Sequence, residues 1–431
     1  MMKLFIYLFY RPLYAFLKSL IPVFRKKLNA KTLVWLELRQ TNTDVDLRSE
    51  KNVFWFHASS GEIEYAKAII RELRKAKPES TIVVTYSSPS AIKLFDNIKS
   101  SVNHFIPLPW DQPNAIADLI NAINPQAIVF ARTDFWPELI YQLKKKNIPS
   151  FIASYNPSFN AWNRFFNVVF FNHFKGIFCV HPSQASILNS MLSKDVSIAA
   201  PGDTRFDQVF WRLAQPSKLT IPLDFSYGVL GSTWLEDEKV ITPILPALLN
   251  LGFKLFWAPH ETNFENTERI ELLLLELKIK YKRFSELMTA QDSGTVIDAN
   301  VLSQYQVILM DKVGYLADLY RNAAWAFVGG SFKAKVHSVM EPLCCAIPVI
   351  TGPYITNSPE ALRYHQVIMN DLRVVQLAHD SNEFLQSVSA VRSIQPKDFK
   401  KMLIGHLEQN RYASVKIIKL ILDKLQENVN S

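Results

Sequence analysis

The sequence predicts an α/β fold of two doubly wound, Rossmann-like domains, with a ligand cleft between them at the carboxyl ends of their strands. Three observations carry that prediction. The chain has 431 residues, which at ~150 residues per domain suits two or three domains. Short, continuously apolar runs alternate with amphipathic stretches from residue 52 onward. The rhythm stops at Gln215-Pro-Ser-Lys-Leu-Thr-Ile-Pro222 and then restarts. Runs apolar on both faces and separated by helices are those of parallel strands covered on both sides. Two such series give two open sheets.

The first series holds NVFWFH (52–57), TIVVTY (81–86), QAIVFA (126–131), SFIAS (150–154) and GIFCV (176–180), with helical patterns at 62–76, 88–99 and 134–146. The second holds SYGVLG (226–231), FKLFWA (253–258), QVILM (306–310), WAFVG (325–329) and IPVIT (347–351). The expected boundaries are an apolar, basic helix at 1–36, one domain at 37–215, a linker at 216–222, a second domain at 223–395 and a carboxyl-terminal helix at 396–431.

Composition narrows the classes. The chain is 48% hydrophobic and 20% charged, enough to bury a sizeable core and too little charge for disorder. Of the net charge of +9, seven basic residues lie within 1–36, where there is no acid. The body is therefore nearly neutral, which excludes a nucleic-acid-binding surface spread over the fold. Cys179, Cys344 and Cys345 are too few and too badly spaced for a disulfide framework or a zinc site, and they suit a reducing compartment.

Residues 4–24, LFIYLFYRPLYAFLKSLIPVF, hold no charge-free run longer than seven residues, against the ~20 of a clean membrane span. Lys3, Arg11, Lys18 and Arg25 fall 8, 7 and 7 apart, so a helix would align them opposite a Phe/Tyr/Leu/Ile face. That predicts a helix lying in the headgroup plane with its cations toward anionic lipid, kinked at Pro12 and Pro22. A cleaved signal peptide fits poorly, because charges break the apolar region and no small-residue cleavage site follows. A core helix is the other reading.

His57-Ala-Ser-Ser-Gly-Glu62 follows the first strand and opens a helix. Gly61 would permit a tight turn. The helix dipole would hold Glu62 ionised, fit to act as a general base for a sugar hydroxyl; the plainer reading is a helix-capping acid. With Arg132-Thr-Asp-Phe-Trp-Pro137, Gly202-Asp-Thr-Arg205, Gly231-Ser-Thr233, Ala258-Pro-His-Glu261, Gly329-Gly-Ser331 and His337-Ser-Val-Met-Glu-Pro342, the chain resembles the 3-deoxy-D-manno-octulosonic acid (Kdo) transferases of Gram-negative bacteria. These are GT-B glycosyltransferases at the cytoplasmic face of the inner membrane. The resemblance runs from about residue 50 to 370, and the hydrophobic, basic amino terminus suits the family's membrane anchor.

The resemblance implies inverting transfer of Kdo from CMP-Kdo to the lipid A precursor lipid IVA, without a metal or other cofactor. The partners would be CMP-Kdo, lipid IVA and the inner-membrane surface, with no nucleic acid. The first domain would take the acceptor and the second the CMP-sugar. Glu62 matches the family's catalytic base. Asp134 matches the acid of its E-T-E-L-W-P segment and Arg205 the Lys ending its G-N-L-K segment, both assigned to transition-state stabilisation. Asp134 also reads as the N-cap of a helix beginning near Phe135.

Pro259-His260 matches the family's P-R pair, Val313-Gly314-Tyr315 its M-G-E turn, and Ser338-Val339-Met340-Glu341 its N-P-L-E segment. All three contact CMP in the family. Gly314 and Gly329-Gly330 would bring backbone N–H groups to a phosphate, and Glu341 would accept ribose hydroxyls. A Gly-Gly after a strand is equally a tight turn. The chain departs from the pattern in its shorter first motif, in His260 for Arg, in Ser338 for Asn and in Arg205 for Lys. Lys333 or Lys335 would supply charge missing at 260. The alternatives are another GT-B enzyme using a UDP-sugar, or an inactive membrane-bound scaffold of the same fold.

Overall fold

Val53–His57 (β1) is buried at all five positions and lies in the middle of a seven-stranded sheet. The other strands are β2 (Thr81–Tyr86), β3 (His104–Pro107), β4 (Ala127–Ala131), β5 (Ser150–Tyr155), β6 (Gly176–Cys179) and β7 (Ser197–Ala199). All pair in parallel, in the order β3-β2-β1-β4-β5-β6-β7. The order reverses between β1 and β4, which opens a crevice at their carboxyl ends. In this computed structural model, residues 1–39, 45–222, 225–288 and 295–427 are described.

The period-two alternation of β1 sorts the helices. Val53 and Trp55 point into one core and Phe54 and Phe56 into the other. Ahead of β1, Met2–Lys27 is helical throughout. It includes a π-helical turn at Ile6–Tyr10 just before Pro12 and the helix α1 (Arg11–Phe24). Helix α2 (Ala30–Leu38) follows, capped by the Asn29 side chain. Met2 and Ile6 are buried against the Trp55 face. Helix α3 (Ile63–Ala76) covers the Phe54 face through Ile63, Ile69 and Leu73, whereas α4 (Pro137–Lys145) packs Leu139 and Leu143 on the Trp55 face.

The amino-terminal helix is oriented against expectation. Arg11 turns inward, and its guanidinium makes two 2.8 Å bonds to Glu138, whose side chain is fully buried. Lys18 donates to Gln112 Oε1 at 2.7 Å, and Tyr10 donates to Asp111 at 2.6 Å. Leu4, Leu8, Phe9, Leu13, Phe16 and Val23 are exposed instead. Spacing groups the cations correctly, but the middle two face protein. A buried carboxylate at 138 without its cation would be far more costly than an exposed leucine. By length and composition, Met2–Lys27 is also long and apolar enough to cross a membrane.

The second sheet holds β8 (Tyr227–Thr233), β9 (Lys254–Pro259), β10 (Tyr281–Arg283), β11 (Val307–Leu309), β12 (Trp325–Val328), β13 (Val349–Thr351) and β14 (Val375–Leu377). Its order is β10-β11-β9-β8-β12-β13-β14, again all parallel. The order reverses here between β8 and β12.

The unit boundaries differ from those expected. The first compact unit is Met1–Gln208 with Asn410–Ser431, and the second is Val209–Gln409. The boundary falls inside α5 (Thr204–Ala214) rather than in a linker at 216–222. Leu219 and Ile221 of that supposed linker are buried in the second unit's core. The second unit contains α6 (Leu235–Ile241), α7 (Met340–Cys344) and α8 (Pro396–Glu408). The single carboxyl-terminal helix expected at 396–431 is two helices. Chain direction changes at Tyr412, which takes a left-handed φ of 67°. The following α9 (Ala413–Glu427) returns to the first unit, packing Ile417, Ile421 and Leu425 on the core beneath α3.

Candidate active site

Glu62 directly precedes α3 at the end of β1, and its side chain makes no capping bond to that helix. Its Oε1 accepts from the Thr133 hydroxyl at 2.7 Å and from the Thr133 amide at 3.2 Å. Its Oε2 is buried and has no hydrogen-bond partner among the described residues. The helix-capping reading is therefore not realised. Burial pushes the Glu62 carboxyl above the ordinary carboxylate value, with the Thr133 bonds opposing and the charge of Asp134 adding to the rise. Gly61 has open space where a Cβ would stand and no positive φ, so the turn does not demand glycine.

Asp134 follows β4, across the crevice from Glu62. Its Oδ2 accepts from Ser87 Oγ at 2.6 Å and lies 3.0 Å from His57 Nε2. His57 is fully buried, and its other ring nitrogen lies 2.8 Å from Thr85 Oγ1. Burial works to raise the Asp134 carboxyl, but His57 and Ser87 outweigh it and hold the group below its ordinary value. Two carboxyls on one crevice are thus pushed in opposite directions. The N-cap reading of Asp134 also falls: α4 begins at Pro137, and its first amides, Glu138 and Leu139, donate to Asp111.

Arg205 stands in the first turn of α5, its backbone amide donating to Asp203 Oδ1 at 2.9 Å. Its guanidinium lies 5.9 Å from the centre of the Tyr65 ring. On the same ring sits Arg132, 4.6 Å away, which takes a left-handed φ of 68°. Thr204 Oγ1 donates to the Tyr65 carbonyl at 2.8 Å, tying α5 to α3. The first unit therefore brings Glu62, Asp134 and Arg205 to one edge of its sheet.

In the second unit, the ends of β8, β9 and β12 converge on an aromatic stack. His260, beyond Pro259, stacks against both Trp234 at 4.5 Å and His337 at 4.3 Å, two rings that lie side by side with their centres 6.4 Å apart. Trp234 Nε1 donates to His337 Nε2 at 2.8 Å. Burial, with His260 adding, lowers the His337 imidazole to about 4, so it stays a neutral acceptor. The Lys333 ammonium lies 3.8 Å over the Trp234 ring. Of the two lysines expected to replace the missing cation, Lys333 is the one at the stack.

Glu341, in the first turn of α7, accepts from Ser338 Oγ and Arg212 Nη2, each at 2.7 Å. Val339 and Met340 are wholly buried, so their side chains fill the core, whereas Ser338 and Glu341 stay partly exposed. Val313 and Gly314 are exposed beyond β11, Gly314 at φ 93°, and Tyr315 packs edge-on against Phe284.

The Gly329-Gly330 amides are not available as expected. Gly329 donates to the Gly231 carbonyl, and Gly330 and Phe332 donate to the Asp237 carboxylate. A Cβ on Gly329 would stand 2.2 Å from the Ser232 carbonyl oxygen. Glycine is there for backbone approach, and the tight-turn reading holds.

Sequence reasoning passed over Thr133 and Ser87, which fix the two carboxyls, and over Tyr65, Trp234 and Arg212. Thr133 and Trp234 sit inside or beside the motifs; the other three carry no local signal. Among the described residues, no group of three or more His, Cys, Asp and Glu side chains is arranged to hold a metal ion.

Residues 35–208 match the family model described as 3-deoxy-D-manno-octulosonic-acid transferase (kdotransferase). The chain is 29% identical over 330 residues to a 3-deoxy-D-manno-octulosonic acid transferase of Chlamydophila psittaci, covering 72% of this chain and 71% of that protein. It is 26% identical over 402 residues to the Haemophilus influenzae transferase of the same name, covering 88% of each. Among solved structures it resembles a UDP-GlcNAc 2-epimerase from Neisseria meningitidis, with TM-score 0.58, 15% identity and coverage of 86% of this chain and 99% of that one. It also resembles the calicheamicin glycosyltransferase CalG4, with TM-score 0.50, 9% identity and coverage of 88% and 99%. These two likenesses carry the fold, a GT-B pair of Rossmann-like domains.

Proposed function

We propose, from the premise that the chain belongs to the Kdo transferase family and is a glycosyltransferase, that it moves Kdo from CMP-Kdo to lipid IVA. The transfer inverts the sugar, needs no metal, and takes place at the cytoplasmic side of the inner membrane. The observation that carries this reading is Glu62, with one oxygen oriented by Thr133 and the other buried and unpartnered.

Glu62 Oε2 takes the proton from the acceptor hydroxyl as that oxygen attacks the anomeric carbon of Kdo. The new carbon–oxygen bond forms on the face opposite the phosphate. The bond from the anomeric carbon to the phosphate oxygen breaks, and CMP leaves with its electron pair. Burial raises the proton affinity of Glu62, which makes it a stronger base once ionised. Asp134, held ionised by His57 and Ser87, stabilises the positive charge that develops on the sugar ring. Arg205, beside Tyr65, meets the carboxylate of the donor or the phosphate of the leaving group, a role for which a fixed cation is suited.

The second unit holds the nucleotide. Glu341 and Ser338 accept the ribose hydroxyls, Glu341 exchanging its bond with Arg212 for them. Lys333, seated on Trp234 beside His260, supplies the cation that the family's Arg gives at 260. The apolar face of Met2–Lys27 places the enzyme at the membrane surface where its acceptor resides.

The test is transfer by the purified full chain from CMP-Kdo generated in situ to lipid IVA, read by mass spectrometry. The expected product is heavier by one or more Kdo residues. Transfer from a UDP-sugar and not from CMP-Kdo would overturn the reading.

A further inference from the structure

Between α1 and α2 of the first unit lies an open groove of about 460 Å³. Leu17, Ile21 and Phe24 of α1, Trp35 and Leu36 of α2, and Trp110 from the loop after β3 line it. The lining is almost wholly apolar. Its one ammonium, Lys18, is bonded to Gln112 Oε1 and lies 5.3 Å from the Trp110 ring.

The groove is built rather than left over. Trp35 and Trp110 pack edge to face at 5.6 Å. The Arg39 guanidinium lies 5.4 Å from each ring and donates to the Pro109 carbonyl at 2.8 Å. An aromatic wall held in this way does not collapse into the space beside it.

Two connections say what the groove takes. Leu17 and Phe24 line it and are also exposed, 54% and 48%. The groove is therefore continuous with the outer apolar face of α1. On its other side, Trp35 Nε1 donates to the Ser87 carbonyl at 2.7 Å, and Ser87 Oγ donates to Asp134. The same tryptophan thus walls the groove and buttresses the residue that holds a candidate catalytic carboxylate.

We propose that this groove seats one acyl chain of the lipid acceptor, bringing the acceptor's sugar to the Glu62 and Asp134 crevice. The inference rests on the acceptor reading above. A chain seated here is removed from water, and the contribution is about fourfold in affinity per methylene. Filling the groove should therefore penalise an acylated acceptor and spare one without chains.

The experiment compares Kdo transfer by wild type, Thr32→Trp and Ile21→Trp, which fill the groove from its two helices. The acceptors are the tetraacylated disaccharide lipid and the same disaccharide fully deacylated. The expected result is a fall of at least about tenfold in the ratio of kcat/KM for the acylated over the deacylated acceptor, carried by KM. An unchanged ratio in both variants, with wild type active, overturns the groove alone. Wild type idle on both acceptors overturns the acceptor reading and the groove with it. A direct measurement uses acyl chains brominated at mid-chain, which quench nearby indoles. The brominated acceptor should quench a component of the fluorescence that Trp35→Phe removes. Equal quenching of that component by a brominated phosphatidylcholine at the same mole fraction would assign the groove to bulk membrane lipid and overturn the proposal.

Discussion

Thr133 donates its hydroxyl and its amide to one oxygen of Glu62, and the other oxygen is buried without a partner among the described residues. The carboxyl is therefore asymmetric, with one oxygen fixing orientation and the other open to a proton. Thr133 lies between Arg132, held at φ 68°, and Asp134. One short turn after β4 thus orients the carboxyl across the crevice and carries the second carboxyl itself.

Glu62→Gln keeps the Thr133 bonds and the shape but cannot take a proton. General-base catalysis is typically worth ~10²–10⁴-fold, so kcat should fall by at least about two orders of magnitude. CMP affinity should hold, because the nucleotide segments belong to the second unit. A variant turning over at the wild-type rate would remove Glu62 from the mechanism and leave Asp134 as the next carboxyl to replace.

Burial sets Glu62 above the ordinary glutamate value of ~4.3. A protonated Glu62 is no base, so kcat/KM should rise with pH along a limb lying above ~4.3 that disappears in Glu62→Gln. The same shift makes the folded state bind this proton more tightly than the unfolded chain. Its contribution to stability is complete below ~4.3 and lost as pH rises through the folded value, so Glu62→Gln should flatten that part of the stability profile. Rate and melting temperature across pH 4–8 check both. A limb that survives in Glu62→Gln belongs to another group.

CMP should raise the melting temperature more than UDP does, since a ligand bound only by the native state stabilises it. Glu341→Ala should abolish most of the CMP shift. Its partner Arg212 is 42% exposed, so losing the pair should move the unliganded protein by less than ~1 kcal/mol. An equal shift with UDP would point to a different nucleotide donor.

Ten of the fourteen sheet strands were legible as continuous apolar runs, and the two carboxyls because they sit in recognisable segments; β3, β7, β10 and β14, short and broken by polar residues or proline, gave no such run. What escaped was non-local. Ser87 reaches Asp134 across 47 residues and Thr133 reaches Glu62 across 71. Spacing groups Arg11 with Lys18, but partners far along the chain, Glu138 for Arg11 and Gln112 for Lys18, decide that this side faces protein. The stretch 216–222 reads as a linker, but Pro216 marks only the end of α5, which already belongs to the second unit from Val209 onward. The carboxyl-terminal helix was misread because a tyrosine, a residue that gives no warning of a left-handed φ, makes the break.

Arg11→Met should separate the two readings of the amino-terminal stripe. Removing the partner of a fully buried carboxylate costs about 3 kcal/mol, so the melting temperature should fall clearly. Lys18→Met loses a neutral partner at a partly buried position and should cost less than Arg11→Met, about 1 kcal/mol. Deleting residues 1–27 should destabilise as well as solubilise, because Met2, Ile6, Tyr10 and Arg11 leave with the apolar face. Equal, small effects of Arg11→Met and Lys18→Met would mean that the stripe faces outward.

The return of α9 to the first unit sets an order on events at the ribosome. Asp207 receives the amides of Tyr412 and Ser414 and the Ser414 hydroxyl, each at 2.7 Å. Ile417, Ile421 and Leu425 close the core beneath α3. The first unit to emerge is therefore the last to be finished. At ~5–20 residues per second, the roughly 200 residues of the second unit hold that closure back by some tens of seconds. Throughout that wait the nascent chain carries an uncovered apolar seam, and a stop codon anywhere before 413 leaves it open for good.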